Sequence, residues 1–425
     1  MRRCRGDDAE NRGPRQVKDA QPGEPGCASI TISVPHPSWP RQSANFAFFF
    51  FAYYGFIGAF SPYASLYFAD KGMTPAEIGV LMSLMQVMRI FGPNLWGWAA
   101  DRTQQRVLVL RITALAAMVA FSGMFFGRSF AHFFAVMVAL NAFTSAQGPL
   151  SEALMLSEMR GDLTHYGRLR LWGSVGFIAS VTVAGQLLDW GGIALMPWIS
   201  WTLLALVLAA SLTMRESPHG HAQQDAPSVL ALLKQRDVCA FFASTLLMVA
   251  AHAALYVFYS LYLAQIGYSK TVIGMMWSLG VVAEIVFFYY QAPIFRRIGA
   301  RSLMIASLLI AVVRFLMIGF CAQSLFWLLI AQVLHAATFA THHSASVITM
   351  QRWFSGPLQA RGQALYISIS YGVGGTLGGL ILSAIWDGFG ARAVFLAAAV
   401  LALAGAGAAA LSFRWQAQRM PNLPH

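Results

Sequence analysis

Apolar segments of about twenty residues follow one another along the chain from Asn45 onward, separated by short polar stretches. This is the length that an α-helix needs to cross the hydrocarbon core of a bilayer. Barrel strands are excluded, because they are about ten residues long and alternate in polarity. The pattern predicts twelve transmembrane helices, at 45–69, 76–99, 106–127, 130–155, 168–189, 192–214, 238–265, 270–294, 302–322, 325–348, 361–385 and 391–413.

The polar regions outside these spans divide the chain into domains. Residues 1–43 are rich in Gly, Pro, Arg and Asp and lack the apolar core of a signal peptide. They are predicted to be a disordered cytoplasmic tail, or else the product of an early start codon. The longest polar stretch inside the chain, 215–237, is predicted to be a cytoplasmic linker. It separates two six-helix bundles, 44–214 and 238–413, and residues 414–425 form a second cytoplasmic tail.

An internal repeat supports this division. The segment YFADKGMTPAEIGVLMSL at 67–84 aligns without gaps on YLAQIGYSKTVIGMMWSL at 262–279, with glycines and polar residues in register. Such a repeat indicates two parallel halves related by an axis along the membrane normal. In the same register Arg89 overlies Glu284, so two equivalent helices are predicted to carry opposite charges at one depth. Charges inside a membrane span are costly and usually functional.

Composition and charge agree with a membrane protein. Charged residues make up 11% of the chain, well below the roughly 25% of soluble domains. The net charge of +12 would suit nucleic-acid binding, but the basic residues lie in short loops between spans. Loops after odd-numbered spans contain only Lys71, Arg128, Lys270 and Arg392. The positive-inside rule therefore predicts that both termini are cytoplasmic, and no nucleic-acid partner is expected. The four cysteines are scattered, without the spacing of a disulfide framework or a metal site.

The loop after the second span, GWAADRTQQR at 97–106, resembles the loop signature of the major facilitator superfamily. The matching residues are Gly97, Asp101, Arg102 and Arg106. Gln104 or Gln105 replaces the usual glycine of the signature. The resemblance implies a conformational latch between the two halves, in which the acid interacts with a helix N-terminus of the other half.

A second segment, YGRLRLWGSVGF at 166–177, resembles the start of span five in lactose-permease-type proton symporters. Together with HAALYVF at 252–258 and WSLGVVAEI at 277–285, it makes the chain similar to the phenylpropionate permease family of that superfamily. The resemblance implies an all-α major facilitator fold, two pseudo-symmetric bundles and an inner-membrane location. It also implies substrate contacts at Arg170 and Phe177, where a phenylalanine in place of tryptophan counts against a sugar.

Ionisable residues within the spans are the candidates for proton coupling. Glu284, in the middle of span eight, is the first candidate, because a carboxyl group in an apolar environment gains affinity for a proton. His335 and His342, with Thr338, follow the i, i+3, i+7 spacing of one helical face and are predicted to join it. His343 is predicted to point elsewhere. The alternative for both predicted histidines is ordinary buried packing.

Two arginines within the spans are candidates for binding an anion. Arg314 and Arg89 stay charged and can hold a carboxylate with two hydrogen bonds. One is predicted to bind substrate and the other to neutralise Glu284; alternatively, both belong to structural ion pairs. By the resemblance, Arg314 reaches inward from span nine. The remaining predicted substrate contacts are Asn141, Glu152, Arg170, Phe177, His252, Tyr256 and Trp277. In span four, Asn141, Ser145, Gly148 and Glu152 follow helical spacing and predict a polar stripe that lines a cavity. Glu152 is predicted to pair with Arg170 across spans four and five, or else to form a purely structural salt bridge.

Glycines in span eleven, GVGGTLGG at 372–379, predict close helix packing through the pairs Gly374/Gly378 and Gly375/Gly379. They are not a phosphate loop, because no strand precedes them and no Gly-Lys-Ser/Thr follows. No catalytic motif is visible, so neither enzyme activity nor a cofactor is expected. The sequence predicts a monomeric, proton-coupled importer of a small carboxylate such as an aromatic acid. A proton antiporter that exports drugs or metabolites, a nucleoside or sugar symporter, and a non-transporting sensor remain alternatives.

Overall fold

The computed structural model describes residues 42–159, 163–216 and 229–419, and within them twelve helices are long and apolar enough to span a membrane. We number them α1 Ser43–Asp70, α2 Pro75–Thr103, α3 Arg106–Phe125, α4 Phe130–Glu158, α5 His165–Gly191, α6 Ile193–Thr213, α7 Arg236–Gln265, α8 Lys270–Ile298, α9 Ala300–Cys321, α10 Leu325–Met350, α11 Gln359–Phe389 and α12 Ala391–Arg419. The predicted number of spans is confirmed. The predicted N-terminal tail up to residue 41, most of the linker (217–228) and residues 420–425 lie outside the described residues.

The internal repeat is visible in the local backbone. Helices α2 and α8 are both 29 residues long, and each begins after a hydroxyl N-cap, Thr74 or Ser269, with φ −68° and ψ 157°. Each ends at a left-handed residue, Gln104 with φ 54° and Gly299 with φ 81°. Gln104 therefore occupies the backbone position that glycine takes in the second half. It is the only non-glycine residue with positive φ in the described chain.

The last helix is longer than predicted. Residues 414–419, which the sequence assigned to a tail, continue α12 to Arg419. Arg352 donates from Nη1 to Gln416 Oε1 at 2.9 Å, and Arg419 forms an ion pair of 3.4 Å with Asp237 at the start of α7. These contacts fix the polar end of the helix, although its sequence is no longer apolar enough to indicate a span.

Three helices of the second half contain π-helical segments. They are Ala254–Tyr259 in α7, Ala336–Ala340 in α10 and Ile367–Gly374 in α11. A π turn accommodates an extra residue, so side chains that follow it are rotated relative to a regular α-helix. In the first half, α1 and α4 contain Pro62 and Pro149 instead. The π segments decide which side chains reach the centre of the molecule.

The glycines of α11 allow close packing on two sides, as predicted. Gly374 and Gly378 face α7, and a Cβ atom added to Gly378 would lie 2.5 Å from the Cα atom of Ala250. Gly375 and Gly379 face the side chains of Gln86 and Ser83 on α2, in the other half. One helix thus packs tightly within its own half and across the interface between halves.

Residue 43 of α1 and residue 419 of α12 lie at the same side of the membrane, which we call the terminal side. The halves pack together at the other side, which we call the opposite side. On the opposite side the hydroxyl groups of Thr182 and Ser278 are 2.8 Å apart. Asp189 at the end of α5 accepts hydrogen bonds from the backbone N–H groups of Lys270 and Thr271, at 2.9 and 2.7 Å.

On the terminal side the equivalent surfaces are open. A Cβ atom on Gly97 would have no neighbour within 4 Å. Farther from the terminal side, α11 does contact α2 across the halves, since a Cβ atom on Gly372 would overlap the Ile90 side chain and one on Gly379 would overlap Ser83 Oγ. The space between the halves therefore opens toward the terminal side.

Candidate functional site

A cavity of about 520 Å³ lies between the halves, within the size range of sites that bind small molecules. Nine of the predicted residues line it: Arg89, Asn141, Glu152, Phe177, Tyr256, Trp277, Glu284, Arg314 and His335. The predicted polar stripe of α4 is also present, since Ser145 and Gly148 line the cavity with Asn141 and Glu152. Tyr53 and Tyr54 of α1 complete the wall beside this stripe.

Glu284 and His335 form a hydrogen-bonded pair. Its Oε1 atom lies 2.7 Å from His335 Nε2, and both side chains are largely buried. The sequence predicted an arginine to neutralise this acid and His335 to join it; among the described residues, the direct contact is with His335 and no arginine forms an ion pair with Glu284. Helices α8 and α10 bring the acid and the imidazole together, and the ring of His335 is stacked on Phe339 at 5.4 Å. The pair is therefore held rigidly, with the carboxylate facing the cavity.

Arg314 reaches the cavity from α9 and is 1% exposed. It donates from Nε to the carbonyl of Ala331 at 2.7 Å, from Nη1 to Thr338 Oγ1 at 3.3 Å and from Nη2 to Gln332 Oε1 at 3.2 Å. All three acceptors are neutral. A guanidinium has five N–H donors, so one N–H on each terminal nitrogen remains. Within the described residues, no carboxylate forms an ion pair with this arginine.

Arg89 lines the cavity from α2, in the other half. Its guanidinium carbon lies 5.4 Å from the ring centroid of Tyr371 on α11, within the range of a cation–π interaction. Arg89 and Glu284, which the repeat places at equivalent positions, both face the cavity but do not pair with each other. Arg89 also lacks an acidic partner in the part of the chain that the structure describes.

Glu152, the acid that the first half contributes to the cavity, is already neutralised by Arg170. Glu152 Oε1 accepts a hydrogen bond of 3.0 Å from Arg170 Nε, as the sequence predicted. The same guanidinium donates to the hydroxyl of Tyr54 at 2.5 Å and lies 4.0 Å from the centroid of its ring. Arg170 thus contributes to the site through Glu152 and Tyr54.

The histidines of α10 are arranged differently from the prediction. His342 does not line the cavity; its Nδ1 atom is 3.1 Å from Ser307 Oγ on α9. His343, predicted to point elsewhere, lines the cavity, and its Nδ1 atom is 3.2 Å from the hydroxyl of Tyr371. The π segment Ala336–Ala340 causes the exchange, because its extra residue moves the face of His335 from position i+7 to i+8.

His252 lies behind the cavity wall rather than in it. Its Nδ1 atom is 2.9 Å from the carbonyl of Met248, one turn earlier on α7. Its ring packs against Phe315 at 5.3 Å and Phe339 at 5.8 Å. The predicted contact between His252 and substrate is therefore not supported by its position.

Sequence reasoning missed several residues of the site, and four of them surround the groups described above. Gln332, Phe339, His343 and Tyr371 all line the cavity. Gln332 stands three positions before His335, a spacing that places both on one helical face, so a signal was present. The other three lie in or after π segments, where regular helical spacing does not apply.

The predicted latch residues lie at the terminal end of α2. Asp101 and Arg102 are exposed, and the guanidinium carbon of Arg102 is 5.5 Å from the ring centroid of Trp98. Arg106 forms an ion pair of 3.9 Å with Glu216, in its own half. Because the terminal side is open, Asp101 makes no contact with the second half in the described residues. The latch role stays a prediction.

Comparison with known proteins gives the same fold throughout. Residues 44–397 match the model of the MFS_1 like family. An Escherichia coli K12 protein described as "Probable 3-phenylpropionic acid transporter" is 30% identical over 348 residues, which cover 80% of this chain and 89% of that protein. The maltose permease of Geobacillus stearothermophilus is 27% identical over 369 residues, covering 85% and 92%. The crystal structure of the nucleoside transporter NupG has a TM-score of 0.79 at 19% identity, covering 88% of this chain and 99% of that one.

Proposed function

The chain belongs to the MFS_1 like family of secondary transporters, and from this premise we propose that it imports a small organic carboxylate together with protons. The observation that carries the proposal is the distribution of charge in the cavity. Glu152 is paired with Arg170, and Glu284 accepts a hydrogen bond from His335, so two carboxylates stand against the three arginines Arg170, Arg89 and Arg314. Arg314 and Arg89 line the same cavity and are left with neutral neighbours.

A solute anion would compensate this excess of positive charge. A buried charge is stable only when it is paired and hydrogen-bonded. The N–H groups left on the two terminal nitrogens of Arg314 suit the two oxygens of a carboxylate. Tyr256, Trp277 and Phe177 offer aromatic surface nearby for an apolar body. The similarity to a protein described as a 3-phenylpropionic acid transporter supports the same class of solute.

Proton coupling is proposed to occur at Glu284 and His335. Protonation of this pair would change the charge of the cavity wall that Arg314 shares. Secondary transporters of this fold bind solute near the midplane and expose it to one side at a time. A proton gradient is the proposed energy source, since the sequence contains no nucleotide-binding loop.

The proposed location is the inner membrane, with the chain as a monomer. The distribution of Lys and Arg among the loops supports a cytoplasmic position of both termini. The terminal side then faces the cytoplasm, and the cavity is open in the direction in which an importer releases its solute.

The first test measures recognition of the anion. Purified protein is screened by thermal shift against aromatic carboxylates, their neutral amides, nucleosides and sugars, because a ligand that binds only the folded state raises its melting temperature. A carboxylate should stabilise the wild type and its amide should not. Arg314→Gln should weaken carboxylate binding by about 10–100-fold, the range expected for losing hydrogen bonds to a charged group. Equal binding of acid and amide would refute the proposed class of solute.

The second test separates proton coupling from solute movement. In proteoliposomes, Glu284→Gln should abolish accumulation driven by a proton gradient and retain exchange of solute between the two sides. Asp70→Asn, an exposed carboxylate at the end of α1, serves as the matched control and should accumulate solute normally. Full gradient-driven accumulation by Glu284→Gln would exclude this residue as the coupling site. Accumulation only when the gradient is reversed would indicate an antiporter.

A further inference from the structure

Two buried histidine nitrogens near the site face no hydrogen-bond partner. His335 uses Nε2 to contact Glu284, and its Nδ1 atom is buried and unpartnered. His252 uses Nδ1 to contact the carbonyl of Met248, and its Nε2 atom is buried and unpartnered. Buried polar atoms without a partner are rare in folded proteins, so each calls for an explanation.

The protonation of the two rings follows from these contacts. A backbone carbonyl only accepts hydrogen bonds, so His252 carries its proton on Nδ1 and has a lone pair on Nε2. An ionised carboxylate also only accepts, so neutral His335 carries its proton on Nε2 and has a lone pair on Nδ1. Both unpartnered atoms are therefore acceptors and cannot bond to each other.

The spacing of the rings fits a bridging water molecule. Their centroids are 6.1 Å apart. Even if the two nitrogens pointed directly at each other from these rings, the distance between them would exceed that of a direct hydrogen bond, about 2.9 Å. One water with two donor hydrogens spans roughly twice that heavy-atom distance and satisfies two acceptors.

We propose that one water molecule bridges His335 Nδ1 and His252 Nε2, and that His252 thereby acts as a positioning residue for the proton site. This inference rests on the proposed function, in which Glu284 and His335 bind the coupling proton. Arg314 of α9 acts on both rings, Glu284 of α8 acts on His335, and His342 of α10 acts on His252. Tyr256 and Tyr259 of α7, Arg89 of α2, His343 of α10 and Tyr371 of α11 line the same cavity as His335.

The bridge has a defined response to a proton. When a proton arrives from the cavity, it binds to His335, which becomes an imidazolium with N–H groups on both nitrogens. The Nε2–H still donates to Glu284, and the new Nδ1–H donates to the oxygen of the water. The water turns and continues to donate one hydrogen to His252 Nε2. In the proton-loaded state both nitrogens of each histidine therefore keep a partner, and only one hydrogen of the water loses its acceptor.

Three substitutions separate this role from simple packing. His252→Asn retains a donor toward Met248 but has no group at the position of Nε2. His252→Gln restores an acceptor near that position. His342→Asn is the matched control, because His342 also has a buried unpartnered Nε2 atom but contacts Ser307 outside the cavity.

The readout is the titration of His335, followed by ¹⁵N NMR of histidine-labelled protein in lipid nanodiscs. His252→Asn should lower the pH midpoint of His335 by about one unit, a tenfold loss of proton affinity. His252→Gln and His342→Asn should keep the midpoint of the wild type. An unchanged midpoint in His252→Asn, or an equal shift in His342→Asn, would overturn the proposal.

The wild-type protein supplies an independent test if His252→Asn does not fold. The resonance of His252 Nε2 should move at the same pH as the titration of His335, because the water changes its orientation there. A stationary resonance would overturn the bridge. Failure of the proposed function would look different: the wild type would accumulate no solute in a proton gradient, while these NMR results would stand.

Discussion

Asp189 closes the opposite side of the transporter, and its removal should shift the balance between conformations. The residue ends α5 in the first half, and its carboxylate accepts hydrogen bonds from two N–H groups at the first turn of α8 in the second half. A carboxylate at a helix N-terminus is favoured by the free N–H groups and by the helix dipole. The ammonium of Lys270 adds an ion pair of 3.6 Å. These contacts join the halves only while the opposite side is closed.

The magnitude follows from these contacts. Removing a side chain that caps a helix N-terminus costs about 0.5–2 kcal/mol. A partly exposed ion pair adds about 0.2–1 kcal/mol. A total of about 2 kcal/mol corresponds to a roughly 30-fold change in the ratio of two states. Asp189→Ala should therefore move the population by about this factor toward the state that is open on the opposite side.

Distances between spin labels can measure this population. Labels at positions 126 and 389 lie on the two halves at the opposite side, where Phe126 and Phe389 are exposed. In a background without native cysteines, Asp189→Ala should increase the fraction of long distances between the labels. Asp70→Ala removes an exposed carboxylate from the same side of the first half and should leave the distribution unchanged. An unaltered distribution in Asp189→Ala, or an equal change in the control, would refute this account of closure.

Two further predictions concern stability. Gly378→Ala should destabilise the protein and lower its melting temperature in detergent, because the added Cβ atom would lie 2.5 Å from the Cα atom of Ala250; an unchanged melting temperature would contradict the packing described for α7 and α11. Gln104→Gly should raise the free energy of unfolding by up to about 1 kcal/mol. A left-handed conformation costs a non-glycine residue about 1–2 kcal/mol, which the variant avoids. Glycine also adds entropy to the unfolded chain, and this offsets part of the gain. The loss of the 2.6 Å hydrogen bond from Gln104 to the Asp101 carbonyl limits the gain, and a lower stability of the variant would show that this bond dominates.

Much of the fold was predictable because it depends on properties that the sequence carries locally. The lengths of the apolar segments determined the number of spans, and the repeat fixed the equivalence of α2 and α8. Their N-caps, Thr74 and Ser269, and their C-terminal residues, Gln104 and Gly299, stand at corresponding positions of that alignment. The end of α12 was missed because the contacts of Arg419 with Asp237 stabilise it from a distance in sequence.

The arrangement of the site was only partly predictable. The pair of Glu152 and Arg170 joins neighbouring helices and followed from the positions of both on the helix faces. The partner of Glu284 depends on how α8, α9 and α10 are rotated relative to one another, which the sequence does not contain. His342 and His343 were exchanged because hydrophobic periodicity does not reveal a π turn.

The interruptions of the helices give the two halves different mechanical properties. Pro62 in α1 corresponds, in the register of the repeat, to a position inside the π segment Ala254–Tyr259 of α7. Proline removes a backbone donor permanently, so the missing hydrogen bond in α1 is built into the covalent chain. A π turn loses no donor and can revert to α-helix by shifting its hydrogen bonds. At this position α1 therefore carries a fixed interruption, whereas the interruption in α7 can move along the helix.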